Sequence, residues 1–429
     1  MADLIINGPT NLNGKVRVSG AKNAATRLMA ATLLTNEKVV LSNFPTELID
    51  VRYSGNFLEA LGSKVSYDKK RNLFSARISS INSEVLDDYC FPIRTTYLFV
   101  AGQILRNGLA RIPYPGGCKL GGRKHDLHIM VWEKLGCNVE EKERYIEIRA
   151  IDGKFCGSDI SFPISTVGGT ENALLCASVA VGRTNIYNAY ITPEIYNLIE
   201  MLQLMGAEIK TIGNSTIEVV GKEILRGATI KVIPDRIEAL TWIVLGALSG
   251  GRLLIENVPF KDMVIPLKHI EEAGISFFRN ENAVYICKEC ISNNAIQPFE
   301  IACGTHPGVI SDMQPFFVLL GIMGNGKSLV LDYRYPKRID FLKELEKFCP
   351  PNSLDWSVDS TAKISIRGAR KLNCAEANST DLRGSMVILM AALLAEGKSK
   401  IKNADMALRG YNDLLGKLSN IGIDCKLED

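Results

Sequence analysis

The 429-residue sequence contains no long apolar run. Its longest apolar stretches, Pro315 to Met323 and Met386 to Ala395, fall well short of the roughly 20 residues that a membrane helix needs. It has no excess of one charge either. A formal net charge of +3 from 50 basic and 47 acidic residues provides no broad cationic surface, which argues against nucleic acid or a membrane as a partner. The opening MADLIINGPT lacks a basic start followed by an apolar core, so no secretory signal is expected and a cytoplasmic location is. Histidine is scarce, at four. His125 and His128 are close in sequence without a third ligand, and the lone CxxC, Cys287 and Cys290, has no second pair at zinc-ribbon spacing. No catalytic metal and no cofactor are expected. Eleven cysteines, odd in number and irregularly spaced, fit reduced thiols better than a disulfide framework.

What is present is the composition of a globular protein, 46% hydrophobic and 23% charged, in a chain long enough for two large domains. Self-similarity organises it. An apolar helical run, a short β-rich run, an amphipathic helix and a further strand recur six times, with matching starts near Lys22, Arg94, Thr166, Asp235, Asp312 and Asp381. Such a unit cannot cover both faces of its own sheet, so several must pack together. Three units make one domain of the α/β (α+β) class. The expected boundaries are 22–233 for the first domain, with 1–21 and 234–429 forming the second, because the strand signals LIINGP and KVRVSG precede the first unit. Two chain crossings between the domains suggest a hinge and a ligand cleft.

One stretch, within the second unit, carries unusual chemistry. PGGCKLGGRKHDLHI, Pro115 to Ile129, places Cys118 among glycines with Arg123 five residues on. The glycines read as a loop that closes over an anion, and the neighbouring cations favour the thiolate. A surface turn with an incidental cysteine is the simpler alternative. Charged residues also gather where the apolar helices begin: Lys22 and Asn23, Arg94, Thr166 to Glu171, Asp235 and Arg236, Asp312, Asp381 and Arg383. N-capping accounts for Asp235, Asp312 and Asp381 one at a time. It does not account for Lys22, Arg94, Arg236 and Arg383, whose charge opposes the helix dipole unless they face a phosphate or carboxylate.

The motifs SGAKNAA (19–25), PGGCKLGGR (115–123), DLHI (126–129), PDRIE (234–238), SDMQ (311–314), TDLR (380–383) and RGY (409–411) resemble, in order and over essentially the whole chain, the UDP-N-acetylglucosamine 1-carboxyvinyltransferases of the enolpyruvyl transferase family. The resemblance implies two inside-out α/β barrels of three repeats each. It also implies a reaction in which phosphoenolpyruvate and a sugar hydroxyl give an enolpyruvyl ether and phosphate, on the way to peptidoglycan. Carried over by position, Lys22, Arg123 and Arg409 would hold the phosphate and carboxylate of phosphoenolpyruvate, with Asn23 helping to place the reacting atoms. Cys118 would add to phosphoenolpyruvate and serve proton delivery to its methylene carbon. Asp312 would take the proton of the attacking hydroxyl. Asp381, Arg383 and Arg338 would stabilise the tetrahedral adduct. Arg94, the turn Thr166, Val167 and Gly168, and the run Lys124, His125, Asp126 and Leu127 would face the nucleotide sugar.

The departures from the family pattern lie on the nucleotide side. Lys124 and His125 stand where the family has Pro-Val, Ile164 where it has lysine, Thr192 where it has glutamate, and Arg334 where it has an aliphatic residue near the acceptor. The resemblance makes UDP-N-acetylglucosamine the first acceptor expected, and these departures favour the alternative. A different nucleotide or sugar hydroxyl in specialised metabolism is the alternative, and a catalytically silent binding paralogue is a third reading.

Overall fold

The computed structural model describes residues 3–82, 93–114, 125–423 and 425–428. Its helices and sheets separate into two compact units. One contains Met1–Ser19 and Pro234–Asp429, and the other contains the described residues between Gly20 and Ile233.

Each unit is built around apolar helices that are buried on every side. In the first, Gln314–Ile322 is buried at every residue, Arg236–Ser249 from Arg236 to Ala247, and Leu382–Leu394 from Arg383 to its end. The three pack on one another. A helix that is apolar all round has no face to give to water, so it must occupy a core. In the other unit Val167–Ala177 is buried from Gly169 onward, and it packs against Val100–Asn107 and the 3-10 turn Arg94–Phe99, which also meets Lys22–Ala31.

The sheets lie outside these helices, each with one face inward. Along Ala362–Arg367 the residues Ala362, Ile364 and Ile366 are buried while Lys363 is exposed, the period-two pattern of a half-covered strand. Among the described residues there are five four-stranded sheets and one of three strands. The commonest strand arrangement is a parallel pair at one edge followed by an antiparallel hairpin, as in Asp159–Thr166, Arg183–Ala189, Thr216–Val220 and Glu208–Ile212.

Two sheets borrow strands from the start of the chain. Asp3–Gly8 lies antiparallel to Gly397–Lys402 with Leu4 opposite Ile401, and Asn13–Arg17 lies parallel to Arg252–Glu256 with Val16 opposite Ile255. Thr229–Lys231 closes the first sheet of the other unit by pairing in parallel with Val39–Ser42. Among the described residues no helix is long and apolar enough to cross a membrane.

The inner helices set the stability of the unit that holds them. Phe316→Ala, at a side chain with no solvent exposure, should cost about 3–5 kcal/mol. Ile224→Ala, at a residue 85% exposed, should cost less than about 0.5 kcal/mol. Urea unfolding of the two variants checks this ordering, and a Phe316 variant as stable as the wild type would remove the helices from the core.

Candidate active site

The heads of the inner helices gather the charged residues that the sequence singles out. In the unit with residues 234–429, five side chains alternate in sign. Arg338 reaches Asp312 and Asp381 at 2.5 Å each, Arg383 reaches Asp312 through Nε at 3.5 Å, and Arg383 Nη2 lies 3.9 Å from Asp235. Both guanidiniums are almost wholly buried. Burial opposes the charge on Arg338, but the carboxylates of Asp312 and Asp381 outweigh it and hold the group protonated more firmly than usual. For Arg383, burial is likewise offset by Tyr411, Asp235 and Asp312. Asp312 is the most open carboxylate of the row, its side chain 28% exposed against 10% for Asp381 and 8% for Asp235.

Capping explains two of the three aspartates. Asp235 accepts from the main-chain N–H groups of Ile237 and Glu238, and Asp381 from that of Arg383. The third expectation is corrected: Asp312 does not stand at the cap position. Helix Gln314–Ile322 begins two residues later, with Met313 at the cap position, and the Asp312 carboxylate is turned to Arg338. What fixes Asp312 is its neighbour. Ser311 donates to the fully buried Asp332 at 2.9 Å, and Asp332 also accepts from the main chain of Arg334 and Tyr335. Arg334 itself extends over the ring of Tyr335.

Arg409 ends the short helix Asp405–Leu408. Its Nη1 lies 4.0 Å from Met406 Sδ. The segment that follows is anchored, since Tyr411 bonds Thr241 at 2.9 Å and its ring sits beneath the Arg383 guanidinium.

In the other unit Lys22 is the first residue of helix Lys22–Ala31, beside Asn23, and its ammonium pairs with Asp50 at 3.1 Å. Asp50 belongs to the first turn of helix Ile49–Ala60. Its carboxylate offsets the conflict between Lys22 and the helix dipole. Arg27, one turn further, pairs with the buried Glu171 at 2.6 Å. Burial raises the pKa of Glu171, and Arg27 partly reverses the effect.

Arg94 opens the 3-10 turn Arg94–Phe99. Thr166 caps helix Val167–Ala177 by accepting from Gly169. A side chain at Gly168 would place its first carbon 3.3 Å from His128 Nε2, so the turn passes directly over that ring. His128 stacks near Tyr97 at 4.7 Å between ring centres. Asp126 and Leu127 open helix Asp126–Lys134, and His125 before it bonds Glu141 at 2.5 Å with the rings of Tyr97 and Tyr114 about it.

Two departures from the family pattern have a local explanation. Thr192 caps helix Pro193–Leu204, and Ile164 is an exposed residue of a strand. Cys118, Arg123 and Lys124 lie outside the described residues. Cys290 ends the 3-10 turn Lys288–Cys290 and Cys287 stands at its cap position, sulfur to sulfur at 3.7 Å. Among the described residues no three His, Cys, Asp or Glu side chains group closely enough to hold a metal ion.

The sequence reading missed Asp50, Asp332, the role of Tyr411 and the pairing of Arg27 with Glu171. Tyr411 carried a signal as the last residue of RGY, and Glu171 as the end of the polar stretch from Thr166 onward. The others become visible when distant parts of the chain meet.

The family model described as EPSP synthase (3-phosphoshikimate 1-carboxyvinyltransferase) matches residues 6–418. The chain is 35% identical to the UDP-N-acetylglucosamine 1-carboxyvinyltransferase of Koribacter versatilis, over 99% of this chain and 96% of that protein. It is 33% identical to the protein of the same name from Helicobacter hepaticus, over 98% and 97%. Among solved structures, the enolpyruvyl transferase NikO from Streptomyces tendae superposes with a TM-score of 0.86 at 23% identity, covering 99% of each chain. EPSP synthase from Acinetobacter baumannii does so at 0.74 and 15%, covering 100% of each. These two likenesses bear on the fold.

The surroundings of His128 make stability depend on pH. Burial, reinforced by the positive charge of Arg94, His125 and Arg27, pushes its pKa down from 6.5 to about 3. The native ring therefore stays neutral while the unfolded one takes up a proton. This contribution to stability is complete above pH 6.5 and is lost as the pH falls from there toward 3. By pH 5 the loss should reach roughly 1–2 kcal/mol. His128→Gln should flatten the slope of urea midpoint against pH in that window; an unchanged slope would show that the ring titrates normally.

Proposed function

The chain belongs to the enolpyruvyl transferase family that includes EPSP synthase and the UDP-N-acetylglucosamine 1-carboxyvinyltransferases, and from that premise we propose that it moves the enolpyruvyl group of phosphoenolpyruvate to a hydroxyl of UDP-N-acetylglucosamine, releasing phosphate. The product is a peptidoglycan precursor. The observation that carries this reading is Asp312: a part-exposed carboxylate just ahead of a buried helix, paired with two buried guanidiniums.

In this reading Asp312 takes the proton of the attacking hydroxyl as its oxygen bonds to the central carbon of phosphoenolpyruvate, while a proton is added to the methylene carbon. The resulting tetrahedral adduct collapses by loss of phosphate and of a proton from the newly formed methyl group, which restores the double bond in the ether. A positioned carboxylate within hydrogen-bond reach is what the first step requires. Arg338 and Arg383 hold Asp312, Asp381 holds Arg338 in turn, and the three bear on the adduct's charge. Because a buried guanidinium flanked by carboxylates is already oriented, it need not reorganise when charge develops.

Lys22, Arg123 and Arg409 hold the phosphate and carboxylate of phosphoenolpyruvate, with Asn23 beside them. The small trianion offers little apolar surface, so charge-assisted bonds supply its affinity. Asp50 keeps Lys22 extended from its helix. Cys118 serves the proton transfer at the methylene carbon; where its sulfur adds to the central carbon of phosphoenolpyruvate as that proton is delivered, the C–S bond must break again, with loss of the proton, before the acceptor oxygen can attack. Arg94, the Thr166–Val167–Gly168 turn and the run Lys124, His125, Asp126 and Leu127 face the nucleotide sugar, and Arg334 lies on the acceptor side. His125, held by Glu141 between two tyrosines, presents an aromatic ring where the family pattern has Pro-Val.

Phosphate release from phosphoenolpyruvate in the presence of UDP-N-acetylglucosamine tests the assignment. Asp312→Asn keeps the shape and removes the base, and should lower kcat by about 10²–10⁴-fold with a small change in the KM for phosphoenolpyruvate. A variant with wild-type kcat would take Asp312 out of the chemistry.

A further inference from the structure

Outside the charge row, Glu238 is a buried carboxylate with three donors, in the first turn of helix Arg236–Ser249 and 2% exposed. Its donors come from separate parts of the chain. The main-chain N–H of Ser19 donates to it at 3.1 Å, the indole of Trp242 at 3.0 Å, and the ammonium of Lys417 forms an ion pair with it. Lys417 also donates to the Ser19 hydroxyl at 2.6 Å, and the Ser19 carbonyl accepts from the main chain of Asp235 at 2.9 Å. Every polar group of Ser19 is thus taken by this cluster.

Each segment tied here leads to a residue of the proposed site. Ser19 is the last residue of its unit before the chain passes to the other at Gly20, and Lys22 follows three residues later. Beyond the crossing the backbone is again constrained: Ala21 donates to Ile233 at 2.7 Å, and a side chain at Gly20 would collide with the Asn43 carbonyl. Lys417 lies in helix Leu414–Asn420, the next element after the Arg409–Tyr411 segment. That segment is bonded through Tyr411 to Thr241, one turn along the helix that bears Glu238. Asp235, whose N–H is fixed on Ser19, belongs to the charge row.

A buried ion pair is costly to desolvate, and an apolar pair of similar volume commonly gives equal or greater stability. Stability alone is therefore a poor reason for this pair at this junction. We propose that Glu238 and Lys417 are positioning residues for enolpyruvyl transfer: together they set the lead-in to Lys22 and the seat of Arg409, and so control the binding of phosphoenolpyruvate without touching it. The proposal rests on the reading of Lys22 and Arg409 as ligands of that substrate.

The test compares Lys417→Met, Glu238→Gln and the double variant in the full chain. It measures melting temperature, phosphoenolpyruvate affinity by calorimetry, and KM for each substrate. Either single change leaves one buried charge unpaired and should lower the melting temperature. The double variant should melt within about 2 °C of the wild type. It should still bind phosphoenolpyruvate about tenfold or more weakly, with the KM for the nucleotide sugar changed by less than about twofold. Lys417→Arg should restore phosphoenolpyruvate binding. Should the double variant fold poorly, Ser19→Ala removes only the hydroxyl contact and should weaken phosphoenolpyruvate binding about threefold at an unchanged melting temperature.

Wild-type phosphoenolpyruvate binding in the double variant, or equal losses for both substrates, would reduce the pair to a structural role and overturn the proposal. Failure of the underlying reading looks different, because Lys22→Met and Arg409→Met would then leave phosphoenolpyruvate binding unchanged whatever stands at 238 and 417.

Discussion

The alternation of carboxylate and guanidinium from Asp381 through Arg338, Asp312 and Arg383 to Asp235 is the constraint on which the proposed chemistry depends. Two arginines cannot stay charged in a nearly solvent-free position unless anions meet them, and three aspartates cannot crowd together unless cations separate them. Each group fixes its neighbours. Five side chains brought together by three helix heads and one turn therefore have few ways to rearrange. That rigidity lets Asp312 remain open on one side while its other contacts are satisfied.

The helices explain why the charge sits at their ends. Gln314–Ile322 and Leu382–Leu394 are sealed along their length, so polar chemistry on them is confined to the first turn. Helix heads also carry unsatisfied N–H groups and the positive end of the dipole, and these suit anionic substrates. Lys22 begins its helix in the same manner, with Asp50 as counter-charge. The repeat thus supplies the same kind of position several times, and each copy holds different residues there.

Much of this was legible in the sequence because it depends on local pattern. Apolar helical runs marked the inner helices, short runs enriched in β-branched residues marked the strands, and the polar residues at helix starts pointed to the proposed site. The failures have a common cause, which is pairing between residues far apart in the chain. Asp312 reads as a cap from its position, yet Met313 takes the cap position and the Asp312 carboxylate pairs with Arg338, 26 residues on. Asp50 for Lys22, Asp332 for Ser311 and Lys417 for Glu238 leave no trace in spacing, because only the folded chain brings them together. The register that places Leu4 opposite Ile401 is of the same kind. Family resemblance supplied roles that pattern alone could not, including that of Cys118, which lies outside the described residues.

The account stands or falls on the products formed from phosphoenolpyruvate and UDP-N-acetylglucosamine. Mass spectrometry of the nucleotide sugar, run alongside a phosphate assay, reads them directly. The account predicts one enolpyruvyl group added to the nucleotide sugar for each phosphate released. Phosphate released without that adduct, or phosphoenolpyruvate left unconsumed by the native enzyme, would contradict it.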